Sequence, residues 1–381
     1  MNLGHNLGLN HAHSYNCGGV IYNPNVKCPI VEYGDLFDTM GLNLGPTPHF
    51  NSSYKELLGW LPSHGVTTSG VFEVFPMETT SSAVRSLLIQ PPLASDFFYV
   101  EYRQPLGFDH DIGHPLVFSG PLIHLAGNPT FVLNMHPMAG MSLGPTEPEQ
   151  DPGETYIDYA NRFSITTLSA TPSSVRVQIL VPGLNTPAAM FTSPANSSVV
   201  GGVVKVLVNA LDRTGISRVT LSRDGSAPLG TLTVSPYQLF WDTTKETSGP
   251  HGLTATAYSA TGMTTTQTIS VTVRRPPAVT LSAPGSAAVG DTVTLSAQCA
   301  ADNATIVSVG FLDVTTSLGL GSPTSTGMYT LNWAPQTTGA HNLSARVTDS
   351  NGFSSISSTV IVTITPRAPH ISAGGVVGAW P

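Results

Sequence analysis

Between residues 188 and 366 the chain repeats itself, and that repeat limits the possible fold more than any other feature. Tyr237-x-Leu239-x-Trp241 returns as Tyr329-x-Leu331-x-Trp333. Gly249-Pro250-His251-x-Leu253-x-Ala255 returns as Gly339-Ala340-His341-x-Leu343-x-Ala345, and Gly262 returns as Gly352. Each copy closes on an apolar run, Ile269–Val273 and Val360–Ile364. Apolar residues at every second position turn one strand face to a core and the other to water. Several such strands in about 90 residues predict one β-sandwich per copy. Composition agrees, because charged residues are only 10% of the chain against a usual ~25%, and 37 glycines and 31 prolines favour short strands and turns. The expected fold class is mainly β.

The two copies, taken as residues 188–275 and 276–366, resemble bacterial immunoglobulin-like modules. They depart from antibody domains: the tryptophan precedes the penultimate strand, and no inter-sheet disulfide is possible. The resemblance implies spacers or binding arms whose partner is a surface glycan or protein. Pro182–Pro187 reads as a linker. His251 and His341 hold equivalent positions, which points to a shared turn or strand-start role. Cys299 continues the alternation Val293, Leu295, Ala297 and is expected to face the core as a small hydrophobe. Residues 367–381 faintly resemble the opening of a further secreted β module.

Upstream, residues 63–182 also read as β-rich. Alternating runs occur at Ser86–Ile89, Phe97–Tyr102, Thr130–Met135 and Val175–Val181, with Pro and Gly between them. Tyr54 to Leu61 reads as a short amphipathic helix with Leu57, Leu58 and Leu61 on one side.

The first eleven residues carry the chemistry. Set against H-E-x-x-H-x-x-G-x-x-H, His5 and His11 fall on the second and third metal ligands and Gly8 on the turn glycine. Met1 stands at the first ligand and Asn2 at the catalytic glutamate. Two histidines four apart on one helix face can share a metal, and a glycine lets the chain leave the helix and bring back a third. Downstream, Glu32-Tyr33-Gly34-Asp35-Leu36-Phe37-Asp38-Thr39-Met40-Gly41 is similar to the Met-turn of the gametolysin-like metzincin peptidases, with Met40 as an apolar floor under the metal. His49-Phe50-Asn51, Leu57-Leu58-Gly59-Trp60-Leu61, Phe98-Tyr99-Val100-Glu101-Tyr102-Arg103 and Gly107-Phe108-Asp109 resemble later segments of that family in the same order. Residues 1–62 are therefore read as the C-terminal remnant of a metzincin catalytic domain.

That resemblance implies zinc as cofactor, a protein or peptide substrate, and a secreted or extracellular protein. In the family, zinc-bound water attacks a peptide carbonyl while the glutamate takes its proton. With Met1 and Asn2 in place, this chain is expected to lack hydrolytic activity and to bind zinc weakly or not at all. Two functions remain open: a secreted gametolysin-like zinc endopeptidase represented by its downstream part, and a non-catalytic surface or adhesion protein on a peptidase-derived scaffold. One inserted base could turn an ancestral His-Glu into Met-Asn and create a start codon, so a frameshift is expected. DNA upstream of codon 1 that encodes no catalytic half in the other frame would sink that idea.

Cys17 and Cys28 lie in a Gly/Pro/Asn-rich loop and are expected to form a disulfide, which implies an oxidising compartment; two free thiols are the alternative. His13 reads as a loop residue rather than a ligand. The spacing of Asp109-His110-Asp111 and His114 invites a metal, but Gly113 and Pro115 break the helix it would need. Glu147, Glu149, Asp151 and Glu154 could bind calcium or form a solvated loop, the latter being the reading preferred. The net charge of −8 with no basic cluster argues against nucleic acid, and no apolar run reaches the ~18 residues of a membrane span. Gly-x-Ser-x-Gly, phosphate-loop and dinucleotide motifs are missing from the sequence.

Overall fold

The computed structural model describes residues 2–22, 27–42, 48–80, 82–91, 96–112, 115–137, 144–145 and 147–367. His114 and residues 368–381, which hold nearly all of the tail, lie outside these. The chain divides into two compact units, one of residues 1–195, 205–239 and 252–269, the other of 196–204, 240–251 and 270–381.

In the first unit one sheet gathers both the zinc segment and the β-rich segment. Its strands run in the order Ile30–Val31, Ala12–Tyr15, Thr130–Val132, Pro121–Leu125, Phe98–Tyr102, Ser86–Ile89, His64–Val66. Ala12–Tyr15 pairs parallel with Thr130–Val132, so the sequence boundary at 62/63 falls inside a continuous sheet. A second sheet orders Gly70–Val74, Ser174–Leu180, Phe163–Thr171 and Thr155–Asp158. Phe98, Val100, Ile123 and Leu125 of the first sheet share one core with Val74, Phe163, Ile165, Val177 and Ile179 of the second.

The other face of the first sheet is also covered, which is why Phe98–Tyr102 is buried at every position. Glu101 and His124 point away from the shared core, toward Ser52 and Asp35. The helix Ser52–Leu57 starts two residues earlier than its apolar pattern suggests. Asn51 caps it by accepting from Tyr54 N at 3.0 Å. Its buried face is Ser52, Ser53, Tyr54 and Lys55, whereas Leu57 is exposed. The expected leucine face is thus corrected: a buried carboxylate and a tyrosine dock this helix, with Leu61 buried beyond its end.

The repeats form the predicted strands. In the second, Ala278–Ser282, Val293–Ala300, Met328–Trp333 and Ser322–Ser325 make one sheet. Ser286–Ala288, Val360–Thr365, Gly339–Asp349, Ile306–Asp313 and Thr316–Leu320 follow one another in the other, with Ser354–Ile356 also paired to Gly339–Asp349. Cys299 is a buried free thiol among Val293, Leu295, Ala297 and Phe311, as its alternation implies. The first repeat has the same parallel closing pair, Val199–Val200 on Thr264–Val273, matching Ser286–Ala288 on Val360–Thr365. His251 and His341 both sit at strand starts, each with Nε2 donating to the carbonyl four residues back, Thr247 at 2.8 Å and Thr337 at 3.2 Å. Each ring also meets the repeat tryptophan edge-on, at 6.0 Å from Trp241 and 5.1 Å from Trp333.

Candidate functional site

The helix Asn2–Asn6 carries His5 and ends at Gly8, whose φ of +85° is the left-handed conformation that L side chains resist. A helix this short is not stable alone; tertiary contacts hold it. Gly4 lies against Met40, where a Cβ would come within 2.2 Å of the thioether sulfur. Leu9 and Ala12 share a small core with Met40, Phe50 and Tyr54. Asn128, from a distant loop, accepts from Asn10 N at 2.6 Å and donates to Gly8 O at 2.8 Å. The Tyr54 hydroxyl lies 3.1 Å from Asn10 O and 3.0 Å from His11 O.

These contacts bring His5 Nε2 to 3.2 Å from His11 Nε2. His5 Nδ1 donates to Leu9 O at 2.9 Å, and His11 Nδ1 donates to Glu32 Oε1 at 3.0 Å. A neutral imidazole has one donor nitrogen and one acceptor, so both Nε2 atoms carry lone pairs. Two lone pairs at that distance repel unless a proton or a metal ion lies between them. Neighbouring nitrogens on tetrahedral zinc, with bonds of about 2.0–2.1 Å, stand about 3.3 Å apart. The Tyr33 ring covers His11 at 4.0 Å, and His5 remains open to solvent.

Met40 is fully buried against Gly4, and its carbonyl accepts from Ala12 N at 3.0 Å. Its turn is fixed by two buried aspartates. Asp38 accepts from Met40 N at 2.6 Å and Asn51 N at 2.5 Å, and Asp35 accepts from Phe37 N at 3.0 Å and His124 Nε2 at 2.9 Å. Burial, then the neighbouring Asp35 charge, pushes Asp38 up to about 7. Gly41 is required, since a Cβ there would strike Asp35 O at 1.6 Å. Behind the turn, Arg103 donates to Glu101 Oε1 at 2.8 Å and Asp109 Oδ1 at 2.7 Å, all three fully buried. Burial alone would raise Glu101, but Arg103 and His124 outweigh it and hold the group at about 2.

The structure brings His5 and His11 together and seats Met40 against Gly4, the residue before His5; Met1 lies outside the described residues. His13 is on a strand, not a loop, and accepts from Tyr33 N at 3.2 Å. Asp109 is committed to Arg103, and His110 pairs with its neighbour Asp111 at 2.8 Å. Sequence reasoning missed Glu32 as the partner of His11, and also the Asn128 clamp; the one available signal was a carboxylate beside the Met-turn tyrosine. Cys17 and Cys28 form the expected disulfide, with Cα atoms 4.8 Å apart. Replacing both by Ser is expected to cost about 3 kcal/mol in chemical melts, on the loop-entropy account; equal midpoints for the variant and the parent would refute it.

Residues 187–255 and 277–345 match the family model described as "Bacterial Ig domain". No curated protein matches the chain. Among solved structures, the fibronectin(III)-like modules of Clostridium thermocellum CbhA are 20% identical over 47% of this chain and 94% of theirs, with a TM-score of 0.30. Murine CEACAM1b is 14% identical over 47% of this chain and all of its own, at 0.21. The Bacteroides ovatus protein SGBP-B, solved with a mixed-linkage heptasaccharide, is 13% identical over 47% of this chain and 48% of its own, at 0.18. Among the described residues no helix is long and apolar enough to cross a membrane.

Proposed function

We propose that this chain is a secreted, zinc-binding, non-hydrolytic protein on a gametolysin-like scaffold, whose bacterial Ig domains bind a surface glycan or protein. One observation carries the zinc reading: His5 and His11 face each other through their Nε2 atoms at 3.2 Å, with both Nδ1 atoms already committed. A carbonyl or carboxylate on the far nitrogen is the arrangement that orients a ligating histidine. Bound zinc supplies an acidic water in sites of this class. The carboxamide at position 2 has no basic group for that proton, which is the reason for expecting binding without hydrolysis.

Zinc titration followed by calorimetry tests the reading. His5→Ala and His11→Ala should each remove one zinc equivalent, and Glu32→Gln should weaken that site by about 10–100-fold. Casein should stay intact at zinc saturation. Unchanged stoichiometry in both histidine variants would overturn zinc binding here, and chelator-sensitive casein cleavage would overturn the non-hydrolytic assignment.

A further inference from the structure

The acidic loop at residues 147–154 is solvated in part: Glu147 is exposed, and the Asp151 and Glu154 side chains are nearly half exposed. Glu149, by contrast, is only 2% exposed, and the loop folds over His136, a residue that no sequence pattern singles out. His136 Nε2 lies 3.2 Å from Glu154 Oε1 and 3.9 Å from Asp151 Oδ2, and one donor atom from each residue falls within 4.8 Å of the others. The other ring nitrogen of His136, Nδ1, donates to Glu147 O at 3.0 Å. Nε2 faces two carboxylates, which can only accept, so a proton or a metal ion must lie between them.

The cage is built before any ligand arrives. Asp151 Oδ1 accepts from Ser119 Oγ at 2.6 Å, leaving Oδ2 toward the histidine. Glu154 Oε2 accepts from Asp151 N at 2.9 Å, leaving Oε1 toward the histidine. The turn itself is tied to the neighbouring strand by Gly153 N to Thr167 O at 2.7 Å and Thr167 N to Glu154 O at 3.1 Å. Gln150 N donates to Pro121 O at 3.0 Å, and Gly120 must be glycine because a Cβ would meet Gln150 O at 2.1 Å. A second, independent feature asks for positive charge. Glu149 Oε2 is buried with no hydrogen-bond partner, within electrostatic range of His136 and Asp151. A buried carboxylate oxygen without a hydrogen-bond partner is costly unless a cation offsets it.

We propose that His136, Asp151 and Glu154 form a second divalent-cation site, of the zinc class, with Glu149 supplying charge behind the ligands. An imidazole donor beside two carboxylates favours zinc over calcium, which takes six to eight oxygens. The 3.2 Å between Nε2 and Glu154 Oε1 matches the ligand separation of about 3.3 Å on tetrahedral zinc. The site joins the turn before Thr155–Asp158 to the segment after Thr130–Val132, so an ion there would brace the two sheets of the first unit.

The test uses the full chain carrying His5→Ala and His11→Ala, so its result does not depend on the first site. Zinc chloride titrated into that protein should bind at one equivalent. His136→Ala added to it should weaken binding by at least about tenfold, and Glu154→Gln and Glu149→Gln should each weaken it measurably. Glu154→Gln keeps an acceptor for Asp151 N, and melts in chelator that match the parent establish that each variant is folded. Cobalt(II) in place of zinc should give a visible band that His136→Ala abolishes. No zinc bound by the doubly substituted parent would overturn the proposal. So would equal affinity in the His136→Ala protein, or calcium binding that is indifferent to His136.

Discussion

Arg103→Met is expected to destabilise the first unit by about 3–5 kcal/mol. Arg103 has no solvent exposure, and its partners Glu101 and Asp109 have essentially none. Removing the cation leaves two buried carboxylates facing an apolar side chain. Glu101 also accepts from Ser52 N at 2.5 Å, so the start of the Ser52–Leu57 helix should loosen with it. Hydrogen exchange should show this first at Phe98–Tyr102 and at residues 51–55. A loss below about 1 kcal/mol, with exchange unchanged at both places, would contradict the account. The companion double variant, Arg103→Met with Glu101→Gln, should recover part of the loss, because truncating one partner is costlier than replacing a pair.

The same cluster sets a pH dependence. Glu101 is held at about 2, below its unfolded value of ~4.3. Its contribution is therefore present above that value and lost as pH falls through about 2. Asp38, raised to about 7, works in the opposite sense. The folded state takes up its proton first, so its contribution grows as pH falls from about 7 toward the unfolded value of ~3.9 and is lost as pH rises through about 7. Acid should first relieve the Met-turn and then break the arginine cluster. In Arg103→Met the acid limb should begin at higher pH than in the parent.

Trp241→Ala is expected to cost about 3–5 kcal/mol, and Trp333→Ala distinctly less. The sequence gives the two tryptophans the same place in the repeat, but Trp241 is 3% exposed while Trp333 is only partly buried at the edge of its core. Trp241 also donates from Nε1 to Glu246 Oε1 at 3.1 Å. Truncation thus opens a cavity and removes the Nε1 hydrogen bond at the first position, and mainly loses rim contacts at the second. Chemical melts of the two variants, with exchange read at Gly249–Ser259 and Gly339–Asp349, compare them directly. Equal losses would mean that repeat position, not burial, governs the energy.

The sequence by itself determined the strands of the repeats, because alternation at Val293, Leu295, Ala297 and Cys299 has only one way to meet a core. It determined the left-handed exit at Gly8, the loop closed by Cys17 and Cys28, and the His5–His11 spacing, since each depends on residues close along the chain. It misjudged the Ser52–Leu57 helix, where leucine periodicity was outweighed by a buried Glu101 reaching across from a strand. Only the tertiary structure decided what completes the sites. Asn128 reaches Gly8, Glu32 orients His11, His124 holds Asp35, and His136 meets Glu154. Those partners lie some 20 to 120 residues apart, and no local propensity encodes which polar side chains a sheet will set side by side. Hydrogen-bond demand in a buried place fixes such pairs, and that demand exists only once the two sheets have closed.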